Sequence, residues 1–248
     1  MIHRRLLYGP LLLLLYQGAP IAARQDSLGR YRVTVGFGGG QWENEEFSCE
    51  GNLLSTTPVR YRSGGVQLDA WPDPHLRLTA FGGSTGETVG ATIATDPQYS
   101  SSYVERYDGP FGGAQVAFEG QRFGIGIGVT TLSGVDGFTG AAPYVRIGNM
   151  DKPHLRMDVM TPNPALPSVG WGRVGVGFNN GHLRGTGGFL GLGFGPVDYN
   201  SKAALIGEIR LPIAPRLAGQ VQGLVGPGEN ASQWSAGLGL RYDFGARE

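Results

Sequence analysis

The sequence predicts an all-β fold: a single antiparallel up-and-down transmembrane β-barrel of about twelve strands, with ten or eight as the alternatives. Three observations predict it. Apolar residues recur at every second position through most of the chain, the period that a pleated strand imposes. Glycine supplies 44 of the 248 residues, more than double the usual ~7%, which weakens helices and is tolerated in twisted, closed sheets. Short turns and long polar connections alternate along the chain, as in a barrel whose two ends carry different kinds of loop.

The amino-terminal residues 1–23 read as a signal peptide. Arg4 and Arg5 give a basic start, Leu6 to Tyr16 a short apolar run, and Ala19 to Ala23 small residues suited to cleavage. The run is too short to span comfortably and contains Pro10. Residues 24–248 are then expected to form one barrel domain.

After a polar leader, Tyr31, Val33, Val35 and Phe37 alternate with Arg32, Thr34 and Gly36. Trp42 to Thr57 reads as a polar loop carrying Glu43, Glu45, Glu46, Cys49 and Glu50. The second strand puts Val66, Leu68 and Ala70 on its apolar face. Val59 and Tyr61 sit in the opposite phase, so a bulge is expected at Gly64-Gly65. A Pro72-Asp-Pro74 turn leads to Leu76, Leu78 and Ala80, alternating with Arg77, Thr79 and Phe81.

A long polar connection covers Glu87 to Pro110, followed by Ala114, Val116 and Phe118, a turn at Gly120-Gln121, and the clean alternation Phe123 to Val129. Ser133 to Ala141 is a loop. Val145 and Ile147 stand against Tyr144 and Arg146, and Leu155, Met157 and Val159 against Arg156 and Asp158. Val174, Val176 and Phe178 end at Asn179-Asn-Gly181, a hairpin signal. Leu190, Leu192 and Phe194 follow, with a second bulge expected at Gly187-Gly188 to keep Arg184 off the apolar face. Leu205, Ile209 and Leu211 oppose Glu208 and Arg210; Val221 and Val225 oppose Gln220 and Gln222.

The last strand is the most informative. One face of Gln233 to Phe244 is Trp234, Ala236, Leu238, Leu240, Tyr242 and Phe244; the other is Ser235, Gly237, Gly239, Arg241 and Asp243. Amphipathic rings at both tips of an apolar face suit the two headgroup levels of a bilayer. Trp234 to Tyr242 spans roughly 26 Å of strand, and tilting shortens that toward the height of a membrane apolar band. Gly239, Tyr242 and Phe244 together resemble the carboxy-terminal signal of bacterial outer-membrane β-barrels, which the barrel-assembly machinery reads. In that family the terminal aromatic usually ends the chain, whereas Gly245 to Glu248 follow here. The resemblance implies export to the bacterial outer membrane, outer-membrane lipid around the barrel, and the assembly machinery as a partner during biogenesis.

With apolar residues facing lipid, Asp69, Arg77, Glu119, Arg146, Arg156, Asp158, Arg173, Glu208, Arg210, Arg241 and Asp243, together with Arg32, face inward. Nearly all lie near a short turn or a chain end, so they are expected to gather as a charged constriction in the periplasmic half of the lumen. The extracellular half is expected to be lined by small residues such as Gly124, Gly126, Gly128, Gly237 and Gly239. A narrow passive pore for small polar solutes, or a closed structural barrel, follows from such a lattice. The alternative is a surface adhesin or receptor that binds through its long extracellular loops; a third and weaker reading is an outer-membrane hydrolase.

Other signals are weaker. Gly170 to Gly175 matches G-x-G-x-x-G but is followed by strand-like sequence rather than a helix. Gly82-Gly-Ser84-Thr-Gly86 matches the nucleophile elbow, yet His75, His154 and His182 lie near the opposite barrel end. No cofactor, no metal site and no catalytic residue is expected. The formal net charge of zero offers no basic footprint for nucleic acid, and the lone Cys49 cannot form an internal disulfide.

Overall fold

The computed structural model describes residues 31–102, 104–132, 138–150, 152–159, 172–178, 187–194, 203–226 and 233–245. The signal-peptide reading and Arg184 fall outside them. The strands are β1 (Tyr31–Phe47), β2 (Leu53–Asp73), β3 (Leu76–Val89), β4 (Ile93–Ala94), β5 (Glu105–Glu119), β6 (Phe123–Leu132) and β7 (Phe138–Ala141). They continue with β8 (Tyr144–Ile147), β9 (His154–Val159), β10 (Gly172–Phe178), β11 (Gly187–Phe194), β12 (Ala203–Ala214), β13 (Leu217–Gly226) and β14 (Gln233–Phe244).

Twelve of these strands, all but the short additions β4 and β7, form one antiparallel ring that closes where β1 pairs with both β2 and β14. Closure leaves no sheet edge along the ring. At the seam Tyr31 stacks on Phe244 at 5.5 Å between ring centroids, and Phe244 on Tyr242 at 6.2 Å.

The facing settles the solvent. Leu238, Ile125 and Val176 are exposed on the outside by 50%, 49% and 46%, whereas Arg241 and Asp243 are 4% and 1% exposed inside. A water-soluble barrel of this kind would turn those apolar side chains inward. An outer wall of Val, Leu and Ile with Trp234 and Tyr242 toward its two ends is stable only against hydrocarbon. The chain is an outer-membrane-type β-barrel.

Two expectations about the first strands are corrected. No bulge interrupts β2 at Gly64-Gly65: its pairing with β1 and β3 runs unbroken there, and Val59 and Tyr61 simply point inward. On the outward face of β2 the apolar series Ala70, Leu68, Val66 gives way beyond Gly64 to exposed Arg62 and Arg60, because the strand has left the apolar band. Once both faces meet water, neither must be apolar, and the backbone ladder continues. For the same reason Trp42 to Thr57 is mostly strand, with a loop only between Phe47 and Leu53. β4 and a single 3-10 turn, Pro97–Tyr99, occupy the connection expected as loop between Glu87 and Pro110. The register of β11 likewise runs unbroken from Gly187, with no bulge at Gly187-Gly188.

Cys49 is exposed in that short loop, at the end of the barrel remote from the chain termini. A membrane-impermeant maleimide is expected to label it on intact cells. Protection until lysis would place this end in the periplasm.

Candidate functional site

Alternation places one inward side chain at every second position, so residues near the turn end of each strand collect at one level of the lumen. Arg32 and Thr34 enter from β1, Gln67 and Asp69 from β2, Arg77 and Thr79 from β3, and Gln115 and Glu119 from β5. Tyr144 and Arg146 come from β8, Arg156 and Asp158 from β9, Arg173 from β10, Glu208 and Arg210 from β12, Gln220 from β13, and Arg241 and Asp243 from β14. All eleven charged residues anticipated from the sequence, and Arg32, sit in this belt.

Among the described residues their ion pairs run along the wall in three groups. Arg32 and Arg241 share Asp243, at 2.7 and 3.1 Å. Arg146 and Arg77 share Glu119, at 3.1 and 3.5 Å. The third group is a chain: Arg156 to Asp158 at 2.8 Å, Asp158 to Arg173 at 2.9 Å, Arg173 to Glu208 at 3.1 Å and Glu208 to Arg210 at 2.9 Å. Asp69 instead accepts from Thr79 at 2.6 Å and from the Gln67 amide at 3.1 Å. Burying a carboxylate is costly unless it is paired or hydrogen-bonded: Glu119, Asp158, Glu208 and Asp243 each meet an arginine, and Asp69 is held by its hydrogen bonds.

Small and aromatic residues make the longer reaches possible. Arg146 lies on β8 and Glu119 on β5, with β6 between them. β6 presents Gly124 there, where an added Cβ would come 2.5 Å from the Glu119 carboxylate. Arg173 reaches from β10 past β11 to Glu208 on β12, lying 4.8 Å over the Phe189 ring on the way. Tyr144, 2% exposed, is flanked by Arg77 at 4.8 Å and Arg156 at 5.5 Å. Arg146 also donates to the carbonyls of Gly120 and Gly148, tying two turns to the belt.

Gly124 therefore belongs to the charged level, not to the loop-end half where the sequence placed it. That upper half is also less bare than expected. Phe189, Ala204, Ile206 and Leu224 form a buried apolar cluster on one wall, while Phe81 and Phe111 lie buried on another. An added Cβ at Gly83 would come 2.8 Å from the Phe111 ring, so the inward glycines there make room for aromatics. Tyr144, Gln67, Thr79, Gln115 and Gln220 were missed as belt members. The alternation that exposed the charged residues marks these uncharged ones as inward too.

The belt encloses a cavity of about 80 Å³. Seven guanidiniums, those of Arg32, Arg77, Arg146, Arg156, Arg173, Arg210 and Arg241, line it against two carboxylates, Asp69 and Glu208. Asp158, Glu119 and Asp243 are held behind their arginines in the wall. The space is polar and large enough for water, and chemically it is a small cationic chamber.

The other motifs have no such setting. Gly172 to Phe178 is strand β10, which offers no helix amino terminus to a phosphate, and Gly170 lies outside the described residues. Ser84 is in the middle of β3 rather than at a strand-to-helix turn, with His75 beyond the far end of that strand. Gly239, Tyr242 and Phe244 all lie on β14, Tyr242 outward and Gly239 inward.

No family model and no curated protein matches the chain. Among solved structures, it is similar to the toluene transporter TbuX of Ralstonia pickettii (8% identity, TM-score 0.46), covering 87% of this chain and 90% of that one. The translocator domain of autotransporter NalP from Neisseria meningitidis gives 11% identity and a TM-score of 0.46, with coverage of 95% and 92%. The transport unit of autotransporter AIDA-I from Escherichia coli gives 11% identity and 0.48, with coverage of 96% and 97%. The membrane assignment stands on the chain's own facing.

Proposed function

We propose that this protein is a narrow passive pore of the bacterial outer membrane, with a wet cationic constriction in its periplasmic half that favours small anions. The observation that carries this reading is the lining of the cavity, seven guanidiniums against two carboxylates. Across the whole belt, five carboxylates oppose seven guanidiniums, a surplus of two positive charges among the described residues. Rings of basic side chains at a constriction favour anions by the field they impose on a short passage.

Planar-bilayer recording under a potassium chloride gradient tests it. Stepwise currents with a reversal potential on the chloride side are expected. Arg32→Gln combined with Arg156→Gln removes both surplus charges, and the reversal potential is expected to fall toward zero. A refolded barrel that passes no current would overturn the pore.

A second reading, a surface receptor or adhesin, draws on the upright sheet of β1, β2, β3 and β5, which continues past the apolar band into water. Exposed polar residues there, with Arg62 and Asp108 paired at 3.5 Å, offer a broad face to a partner. Cell binding lost on trimming residues 90–104, in a barrel that conducts nothing, would favour it.

A further inference from the structure

We propose that the chamber in the belt is a binding site for a compact oxyanion of the phosphate or sulfate class. The inference rests on the pore reading for its biological sense but not for its chemistry. Strands six places apart in a twelve-strand ring face each other across the lumen, so β1 stands opposite β9 and β14 opposite β8. Arg32 and Arg156, and likewise Arg241 and Arg146, thus stand on opposite walls of the one cavity that all four line. Each is paired along its own wall: Arg32 and Arg241 with Asp243, Arg146 with Glu119, Arg156 with Asp158.

The consequence is a fixed arrangement of like charges converging on a shared space from opposite sides. The carboxylates hold the arginine stems from behind, Asp243 and Asp158 each being 1% exposed. Held in this way, the guanidiniums lose little further freedom when they take a ligand, and such preorganisation favours binding. Like charges facing one another in a confined cavity repel, and an anion between them converts that repulsion into attraction. A guanidinium fork matches two oxygens of a tetrahedral oxyanion, which a spherical halide cannot reproduce.

Arg77 adds a pointed observation. Its Nε is buried and has no hydrogen-bond partner, while its side chain lines the same cavity. Buried donors of a charged group are costly to leave unmade, and a small rotation of this side chain toward the cavity would offer the Nε to an oxyanion there. The cavity, about 80 Å³, has room for a compact ion together with water of its shell.

The test is chloride current through the barrel in a planar bilayer, titrated with inorganic phosphate or sulfate at constant potassium. A saturable block is expected, and it should weaken about tenfold in R32K/R156K, because an ammonium keeps the charge but lacks the fork. Current that changes only in proportion to the ions' mobilities, without saturation, would overturn the site. A barrel that passes no current removes the pore reading alone. Isothermal titration of the folded barrel with inorganic phosphate then decides the site: saturable heat that is reduced in R32K/R156K supports it, and no heat overturns it. Heat-modifiable mobility on a denaturing gel establishes that each variant is folded.

Discussion

Asp158→Asn is expected to destabilise the barrel by about 3–5 kcal/mol, the cost of breaking a buried ion pair from one side. Asp158 is 1% exposed and accepts from Arg156 Nε at 2.8 Å and Arg173 Nε at 2.9 Å. The amide keeps the shape of the side chain and removes the charge, leaving two guanidiniums close together without the anion that offsets their repulsion. Arg173 retains Glu208, but Arg156 has no second carboxylate in the chain of pairs. The urea midpoint of folding into lipid vesicles, followed by tryptophan fluorescence, reads the loss. Asp108→Asn is the control: its pair with Arg62 is exposed and 3.5 Å long, so less than about 1 kcal/mol is expected. Equal shifts for the two variants would mean that the belt contributes nothing special to stability.

Leu238→Arg is expected to cost about 2–4 kcal/mol, the price of a basic side chain in the middle of the hydrocarbon. Leu238 lies on the outer face of β14, between rim residues Trp234 and Tyr242, and is half exposed to lipid. The arginine stem is too short to reach water comfortably from there. Ile213→Arg, near the turn end of β12 and 61% exposed, can snorkel to the interface and is expected to cost about 0–1 kcal/mol. The same vesicle titration reads both. A Leu238→Arg variant as stable as Ile213→Arg would contradict outward facing toward hydrocarbon.

Much of this fold was legible because a membrane wall imposes a strong contrast on alternate residues. Along β14 every outward position from Trp234 to Phe244 is apolar or aromatic, and Arg241 and Asp243 fall in the other phase. The same contrast marked all twelve ring strands and the charged belt. It vanished where the strands leave the lipid: at Arg60 and Arg62 the outward face is polar, and Val59, buried inside, looked like a change of phase. A bulge was the economical reading of that pattern, but a strand that outgrows the membrane explains it without one.

The wall packing was illegible for a different reason. That Gly124 sits beneath the Arg146–Glu119 pair, or that Gly83 receives the Phe111 ring, depends on which residues the register brings side by side. Composition announced that glycine was abundant, not what each one accommodates. The choice of partners in the belt was equally hidden, since seven arginines could be shared among five carboxylates in many ways until the strand pairing selected one.

Arg173, which bonds Asp158 on one neighbouring strand and Glu208 two strands away on its other side, has a bearing on how the ring assembles. A hairpin that slips by two residues keeps every oily side chain pointed at lipid, so hydrophobicity alone tolerates the error. The slip would carry Arg173 roughly 7 Å along its strand and away from both acids. The ionic hoop thus acts as a gauge of alignment, rejecting the one class of misassembly to which the greasy exterior is blind.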